Sequence, residues 1–331
     1  MARRLSPLLW VSFALLAPCS VAKAQSQTGA SPHYPTKPIR FIVPYPAGGP
    51  ADTVARMIGQ HLTATWGQGV VVDDRGGGGG LIAAEMAAKS PPDGHTLFLG
   101  AIQTHAINPA LYAKLPYDPI RDFAPITPVS FDPLLLVIHP AVGAATLKEL
   151  VALAKARPGQ LNYASTGTGG SSQLAMELLK SIAGINLTHV PYKGATPAIT
   201  DMISGQTQVT FLGVSGVLPH VRGGRLKALG ISSAKRSAVA PEIPTIAESG
   251  YPGFEVITWY GVVVPAGTPR EIQRMLSTEI SRIVRLPDVK DRLAASGADA
   301  VSMTPEQFGA FIKSEMVKWA KVIKEAGIKA D

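Results

Sequence analysis

Apolar runs and amphipathic helical patterns alternate from residue 39 onward. The near-continuous apolar run Ile39–Val43 predicts a strand that is covered on both faces. Residues 50–62 place their apolar side chains on one stripe and carry Pro50 near the first helical position, which predicts a helix. Strands at 70–72 and 96–99 are predicted to flank a helix around 81–89. This β-α-β-α-β order implies right-handed crossovers and a parallel sheet.

A second block repeats the pattern. The run Leu134–Ile138 predicts a strand, and Thr146 with Glu149 forms a capping box that opens a helix over 147–156. A strand at Leu161–Ala164 leads through a loop rich in Gly, Ser and Thr into a helix. That helix is predicted over 172–183. Further strands are predicted near 187–191, 208–212, 226–231 and 260–264. Two helices, opened by Thr268 and Thr304, are predicted at the end of the chain. Two such α/β units are typical of a protein that closes a cleft on its ligand, but the pattern leaves open where the last helices dock.

Length and composition agree with a folded protein of about two domains. The chain has 331 residues, of which 46% are hydrophobic and 16% charged, and this excludes an intrinsically disordered chain. Basic and acidic residues are interleaved, with no basic stripe and no aromatic platform, so nucleic acid is not an expected partner.

The N-terminus has the pattern of a secretory signal peptide. Arg3 and Arg4 precede an apolar stretch over 8–17, and Ala22-Lys23-Ala24 has the small-x-small form of a cleavage site. We therefore predict a signal peptide over 1–24 with cleavage after Ala24, followed by a loose polar leader over 25–36.

The alternative is a lipoprotein signal that ends at Cys19, although Pro18 stands just before it, where a small residue is expected. With cleavage after Ala24 the mature chain keeps 28 basic and 23 acidic residues and loses its single cysteine, so it offers no thiol chemistry. No later stretch reaches about 18 uninterrupted apolar residues. A soluble periplasmic protein is expected.

A glycine-rich turn joins the first predicted strand to the first helix. It reads Pro46-Ala47-Gly48-Gly49-Pro50-Ala51-Asp52. Ligands of open parallel sheets collect at the carboxyl ends of strands, where bare backbone N–H groups and a helix dipole favour a carboxylate or phosphate. A tight turn without a ligand explains the same residues. For Asp52, at the third helical position, a helix-capping role is favoured over contact with a ligand amine or hydroxyl.

The second block has an equivalent loop between strand and helix. Its sequence is Ser165-Thr166-Gly167-Thr168-Gly169-Gly170-Ser171-Ser172, which combines N–H groups with hydroxyl donors. If the two loops face each other across a cleft, they would hold one acid group between them. The alternative is again a turn without a ligand.

Signatures of enzymes and cofactors are scarce. Gly78-x-Gly80-x-x-Ala83 matches a dinucleotide fingerprint, but it follows the second strand, and no acidic residue ends the next one. The histidines lack the spacing of metal ligands, so neither a cofactor nor a metal is expected. His105 follows the third strand at the expected edge of the cleft. A periplasmic hydrolase or transferase, the alternative from a different class, would have to pair His105 with Ser165 or Ser171.

Short motifs form one ordered set over residues 34–327. They include Tyr34-Pro35-x-Lys37-Pro38-Ile39-Arg40, Pro46-Ala47-Gly48-Gly49-x-x-Asp52, Pro92-Asp93-Gly94-His95-Thr96-Leu97, His105-Ala106-Ile107-Asn108-Pro109, Leu115-Pro116-Tyr117-Asp118-Pro119, Leu161-Asn162-Tyr163-Ala164-Ser165, His189-Val190-Pro191-Tyr192-Lys193-Gly194 and Pro265-Ala266-Gly267-Thr268-Pro269. This set resembles the Bug family, the extracytoplasmic solute receptors of tripartite tricarboxylate transporters.

The resemblance implies an α/β, two-lobed periplasmic-binding-protein fold of the Venus flytrap type II, with a ligand cleft between the lobes. One lobe would comprise residues 37–136 and 260–331, including the C-terminal helices, and the other residues 137–259. The implied function is capture of a small carboxylate and its delivery to the membrane components of the transporter, by a monomer without enzymatic activity. A ligand-sensing adaptor for a signalling partner remains an alternative.

The resemblance also assigns a ligand site between the two loops. Its members are Tyr45, Ala47, Gly48, Gly49, Asp52, Gln103, Thr104, His105, Ser165, Thr166, Gly167, Thr168, Gly169, Gly170, Ser171 and Val214. Two departures from the family pattern bear on selectivity: Gln173 replaces a frequent His, and the apolar stretch 212–215 replaces an acidic or amide one. The loss of polar groups there favours an apolar or aromatic acid over a ligand with an ammonium group.

Overall fold

The computed structural model describes residue 1 and residues 34–329. The predicted signal peptide, its cleavage point after Ala24, Cys19 and most of the predicted leader lie outside the described residues.

Ten strands form the sheet structure of the described chain. They are β1 (Ile39–Val43), β2 (Val70–Asp74), β3 (Thr96–Ala101), β4 (Phe123–Ile138), β5 (Asn162–Ser165), β6 (Thr188–Pro191), β7 (Val209–Gly213), β8 (Lys227–Ile231), β9 (Ile257–Pro265) and β10 (Asp299–Ala300). The main path runs β2-β1-β3-β9-β4-β7-β5-β6, while β8 and β10 both pair with β4. As predicted, the β1–β2, β1–β3, β5–β6 and β5–β7 pairs are parallel.

Helices cover both faces of the sheet. They are α1 (Pro50–Trp66), α2 (Leu81–Ala88), α3 (Asn108–Leu111), α4 (Leu147–Ala156), α5 (Ser171–Ala183), α6 (Ala195–Ile203), α7 (Val214–Arg222), α8 (Arg270–Val284), α9 (Pro287–Ala295) and α10 (Pro305–Ala326). Their buried apolar stripes join the strands in three hydrophobic clusters, and burial of this kind is the main favourable term in folding.

The last helices dock on opposite faces of the N-terminal strands. Helix α8 shares a cluster with α1 and β1, whereas α10 belongs to the cluster that contains β3 and β9. The Phe308 ring of α10 packs edge-on against Trp259 of β9, with 5.6 Å between ring centroids. Helix α10 also contacts α5, so it touches elements of both sequence blocks.

The long strand β4 connects the two blocks by changing partners. From Phe123 to Pro133 it pairs with β9, and from Leu134 to Ile138 it pairs with β7 and β8. All three pairings are antiparallel.

The first half of β4 was not predicted, because it contains Pro125, Pro128 and Pro133. Proline lacks the N–H that a strand normally donates, and its presence argues against a central strand. The structure accommodates two of these prolines through register shifts between Pro125 and Thr127 and between Pro128 and Ser130. Such bulges let a central strand pass a residue that cannot donate.

The predicted end of the chain also needs correction. Three helices follow β9 rather than two. Helix α9 was not predicted because it begins at Pro287 without a side-chain cap. The prediction that Thr268 caps the first of these helices is wrong, since the Thr268 hydroxyl donates to Pro265 O at 2.8 Å and the N-cap is Pro269. At Thr146 the N-cap is confirmed, since its hydroxyl accepts a hydrogen bond from Glu149 N, but the Glu149 carboxylate accepts from Ala145 N rather than from Thr146 N, so the box is incomplete. Thr304 caps the last helix as predicted and forms the full box with Gln307.

Candidate functional site

A cavity of about 290 Å³ lies where β4 and β9 run between the two blocks. Its volume is near the lower end of the range for small-molecule sites, roughly 300 to 1,000 Å³. Both blocks contribute to the walls. The lining residues are Pro50, Asp132, Pro133, Leu134, Thr166, Ser171, Ser172, Ala195, Ile199, Leu212, Gly213, Val214, Ser215, Gly216, Thr258, Tyr260, Ser296 and Gly297.

The cavity wall combines hydroxyl groups with aliphatic surface. Hydroxyls come from Thr166, Ser171, Ser172 and other residues, whereas Ile199 and Leu212 are apolar. Among the described residues that line it, none is Lys, Arg or His. An anion bound here would therefore depend on hydroxyl groups and backbone N–H groups rather than on a cation.

The loop between β5 and α5 is held by its own hydrogen bonds. Thr166 N donates to Ser172 Oγ at 2.8 Å, and Gly169 N donates to Gln173 Oε1 at 2.6 Å. Gly170 N donates to Gly167 O at 3.2 Å. Several N–H groups that the sequence suggested were bare are thus used within the loop. The first-turn N–H groups of α5, beginning at Ser171, have no partner inside the helix, and Ser171 and Ser172 line the cavity.

Ser165 forms a pair with His189, not with His105. The Ser165 Oγ and His189 Nε2 atoms lie 2.6 Å apart, and His189 Nδ1 lies 3.2 Å from Gln173 Nε2. Because Gln173 Oε1 accepts the Gly169 N–H, the orientation of the Gln173 amide is fixed. Gln173 Nε2 therefore donates a hydrogen bond to His189 Nδ1. His189 then carries its proton on Nε2 and donates to Ser165. A nucleophilic serine needs the reverse polarity, and Ser165 is fully buried, so this arrangement holds the loop.

The first loop reaches the cavity only at its end. Pro50 lines the wall, whereas Ala47 and Gly48 are exposed and Gly49 is partly exposed. Asp52 is buried at the third position of α1, accepts a hydrogen bond from Gly48 N at 2.8 Å and pairs with Arg56. Its contacts are those of a helix cap.

The segment Gln103-Thr104-His105 does not line this cavity. Gln103 Nε2 donates to Asn108 Oδ1 at 2.7 Å, and the Thr104 Oγ1 and His105 Nδ1 atoms lie 2.9 Å apart. The His105 ring is fully buried beside Phe98, Phe123 and Trp259. Burial lowers the pKa of His105 to about 3, so the ring is neutral at physiological pH. The geometry gives His105 a structural role, and it does not approach Ser165 or Ser171 as a base.

Two further predicted residues flank the cavity. Val214, the first residue of α7, lines it together with Leu212. Tyr45 does not line the cavity and instead packs edge-on against Tyr260, with 6.0 Å between ring centroids. Tyr260 itself is part of the wall, so Tyr45 supports it from behind. Of the predicted set, the structure brings Thr166, Ser171 and Val214 to the cavity surface.

Sequence reasoning missed the contribution of β4 and β9. Asp132 and Thr258 are register partners on these strands, and both line the cavity. The Thr258 hydroxyl donates to Ser171 Oγ at 3.3 Å, which connects β9 to the start of α5. Burial raises the pKa of Asp132 to about 7. The available signal was an acidic residue two positions before the predicted apolar strand 134–138, but the prolines around it concealed that it belongs to the same strand.

Comparison with known proteins assigns the family. The model of the tripartite tricarboxylate transporter family receptor, TctC, matches residues 54–328. The chain belongs to this TctC family. The family predicted from the sequence motifs is thereby confirmed. BugT of Bordetella pertussis is 38% identical over 297 residues, which cover 89% of this chain and 91% of BugT.

Solved TctC-type receptors share the fold. The R. palustris protein Rpa4515, solved with adipate, has a TM-score of 0.80 and 34% identity, with 89% of this chain and 99% of that chain covered. MatC from Rhodopseudomonas palustris, solved with malate, has a TM-score of 0.75 and 33% identity, with 88% and 100% covered. The predicted α/β periplasmic-binding-protein fold is confirmed. In the part of the TctC-type chain that the structure describes, no helix has both the length and the apolarity needed to span a membrane.

Proposed function

We propose that this TctC-family receptor binds a small carboxylate in the cavity between its two blocks. One observation carries the proposal: the first turns of α1 and α5 both reach one cavity, with Pro50 on one side and Ser171 and Ser172 on the other. The relatives solved with adipate and with malate support the ligand class. The apolar surface from Ile199, Leu212 and Val214 would take the carbon skeleton of the acid.

We propose a division into two lobes that hinge where β4 changes partners. The proposed lobes are residues 37–136 with 260–331, and residues 137–259. The partner change between Pro133 and Leu134 on β4, and the start of β9 at Ile257, support connections near these limits. Hinge closure around a ligand uses a few residues of this kind.

The proposal extends to location and partners. The export signal read from residues 1–24 and the family assignment support a periplasmic receptor that is processed after Ala24. We propose that it acts as a monomer. Its closed form would present the ligand to the membrane components of a tripartite tricarboxylate transporter.

The test is a titration of the purified protein, unfolded and refolded beforehand to remove any bound ligand. Adipate, malate and benzoate serve as probes, followed by calorimetry and thermal unfolding. A ligand at about 100 times its Kd should add about 2.7 kcal/mol to the free energy of unfolding and raise Tm by several degrees. A folded protein that binds none of these acids, or that turns one over, would contradict the proposal.

A further inference from the structure

Asp132 presents a carboxyl group to a cavity that the proposed function fills with an acid. The residue is partly buried on β4, opposite Thr258 of β9. Its Oδ2 atom accepts a hydrogen bond from Ser130 Oγ at 2.9 Å, and no described residue donates to Oδ1. Because Thr258 also donates to Ser171 Oγ, the start of α5 and Asp132 lie on either side of one threonine. An acid held at α5 would therefore share the cavity with Asp132.

Among the described residues, those that line the cavity around Asp132 provide no positive charge for such a ligand. Asp299 approaches from β10, and its charge acts on Asp132. Tyr260 faces Asp132 from β9 and is buried and neutral. The charge of Lys235 acts on Asp299, and Lys235 does not line the cavity. A ligand carboxylate would meet a second carboxyl group without a cation between them.

Two carboxylates in a poorly solvated site cannot both stay ionised, and such pairs share one proton. We propose that the bound acid and Asp132 share one proton, so that the receptor takes up a proton together with its ligand. The inference rests on the proposed function, because it requires an acid in this cavity. It makes Asp132 a residue that selects for carboxyl groups by offering them a hydrogen-bond donor.

In the ligand-free protein, the Asp132 carboxyl group is protonated near neutral pH at little cost in free energy. Burial raises the pKa of Asp132 to about 7, and the charge of Asp299 acts in the same direction. Below this pKa the site is already protonated and affinity should be constant. Above it, each pH unit should weaken binding about tenfold, because one proton must be taken up for each ligand bound. Between about pH 7 and pH 9 affinity should fall about 50-fold, because about half of the Asp132 groups are protonated at pH 7 and about one in a hundred at pH 9.

The experiment measures affinity and proton uptake by calorimetry from about pH 6 to pH 9, where adipate, malate and benzoate each carry at least one ionised carboxylate. Each titration is run in two buffers that differ in ionisation enthalpy, which gives the number of protons taken up by the wild-type protein. Near pH 8 we expect about one proton per ligand. The variant Asp132→Asn keeps a neutral donor of the same shape, and should bind with little pH dependence and more tightly than wild type near pH 9.

Asp299→Asn is the matched control, because it removes the neighbouring carboxyl group outside the cavity. It should keep the fall in affinity with pH, shifted at most slightly. A flat profile without proton uptake in the wild type, or binding that strengthens as pH rises, would overturn the inference and leave the proposed function standing. A folded Asp132→Asn protein with no affinity at any pH would also overturn it. Failure of the folded wild type to bind all three acids at every pH would instead overturn the proposed function itself.

Discussion

Asp132 and Asp118 are carboxyl groups in opposite environments. Burial raises the pKa of Asp132 to about 7. Backbone N–H groups of Arg121 and Ile120 donate to Asp118 Oδ1 at 2.8 and 2.9 Å, and these bonds lower the pKa of Asp118. The native state therefore favours the protonated form of the first group and the ionised form of the second. Their contributions to stability must change with pH in opposite senses.

For Asp132 the ligand-free protein should lose stability as pH rises from about 4 to about 7. In this window the native state holds a proton that the unfolded chain has released, so the free energy of unfolding decreases with pH. Asp132→Asn removes the effect, and its stability relative to wild type should increase from pH 4 to pH 8. Urea unfolding at a series of pH values measures this difference.

Asp118→Asn provides the control of opposite sign. The stability that ionised Asp118 contributes is present above its unfolded pKa and is lost as pH falls through the lowered native value. This variant should therefore be destabilised near neutral pH and approach wild type in acid. If both variants showed the same trend with pH, the assignment of Asp132 as a group protonated near neutrality would be wrong.

At the scale of elements, the start of α5 depends on one hydroxyl. Ser172 Oγ accepts the Thr166 N–H at 2.8 Å and lies 3.0 Å from Thr166 Oγ1, and both residues line the cavity. Ser172→Ala leaves the Thr166 N–H without its partner. We expect a loss of about 1 kcal/mol in the free energy of unfolding, and weaker ligand binding because Thr166 is no longer held. Denaturant unfolding and calorimetry measure the two effects.

Ser181→Ala on the same helix is the control. Ser181 is exposed and lies outside the cavity, so neither stability nor affinity should change appreciably. Equal affinity in the Ser172→Ala and wild-type proteins would separate the α5 loop from ligand binding.

Elements were predictable where local pattern and burial agree. The apolar run of β1 and the stripes of α1, α4 and α5 appear in the structure close to their predicted limits. The first half of β4 was hidden because its prolines occupy bulges that only the partner strand β9 explains. This omission also concealed Asp132, since a residue in an unrecognised strand cannot be assigned to a sheet edge.

The candidate site was predictable to the level of loops. The Gly and Ser content of the β5–α5 connection indicated a helix start that could hold an anion, and that helix start lines the cavity. The position of His105 after a strand gave no information on which way its ring turns. Packing against Phe98 and Phe123 decides that orientation, and it depends on contacts distant in sequence.

At the scale of the whole molecule, the two blocks touch beside the cavity. Gly297, just after α9, lies against Val214 at the start of α7, and both line the cavity. A Cβ atom at Gly297 would fall 2.6 Å from Val214 Cβ, closer than side chains pack. The blocks can therefore approach this closely only while residue 297 has no side chain. In the proposed hinge motion, this contact belongs to the closed form.

Gly297→Ala should therefore oppose closure and weaken binding of the carboxylate probes about tenfold or more. Gly297 also has a positive φ of +80°, so the variant loses about 1 kcal/mol of stability for backbone reasons alone. Gly143→Ala is the matched control, since its φ is +77° and nothing lies within 4 Å of the added Cβ. It should lose similar stability with unchanged affinity. In a Val214→Gly background the Gly297→Ala effect on affinity should shrink, because the Val214 Cβ and Cγ1 atoms that would clash with the added Cβ are gone. Undiminished affinity of folded Gly297→Ala would show that ligand binding does not require the blocks to meet here.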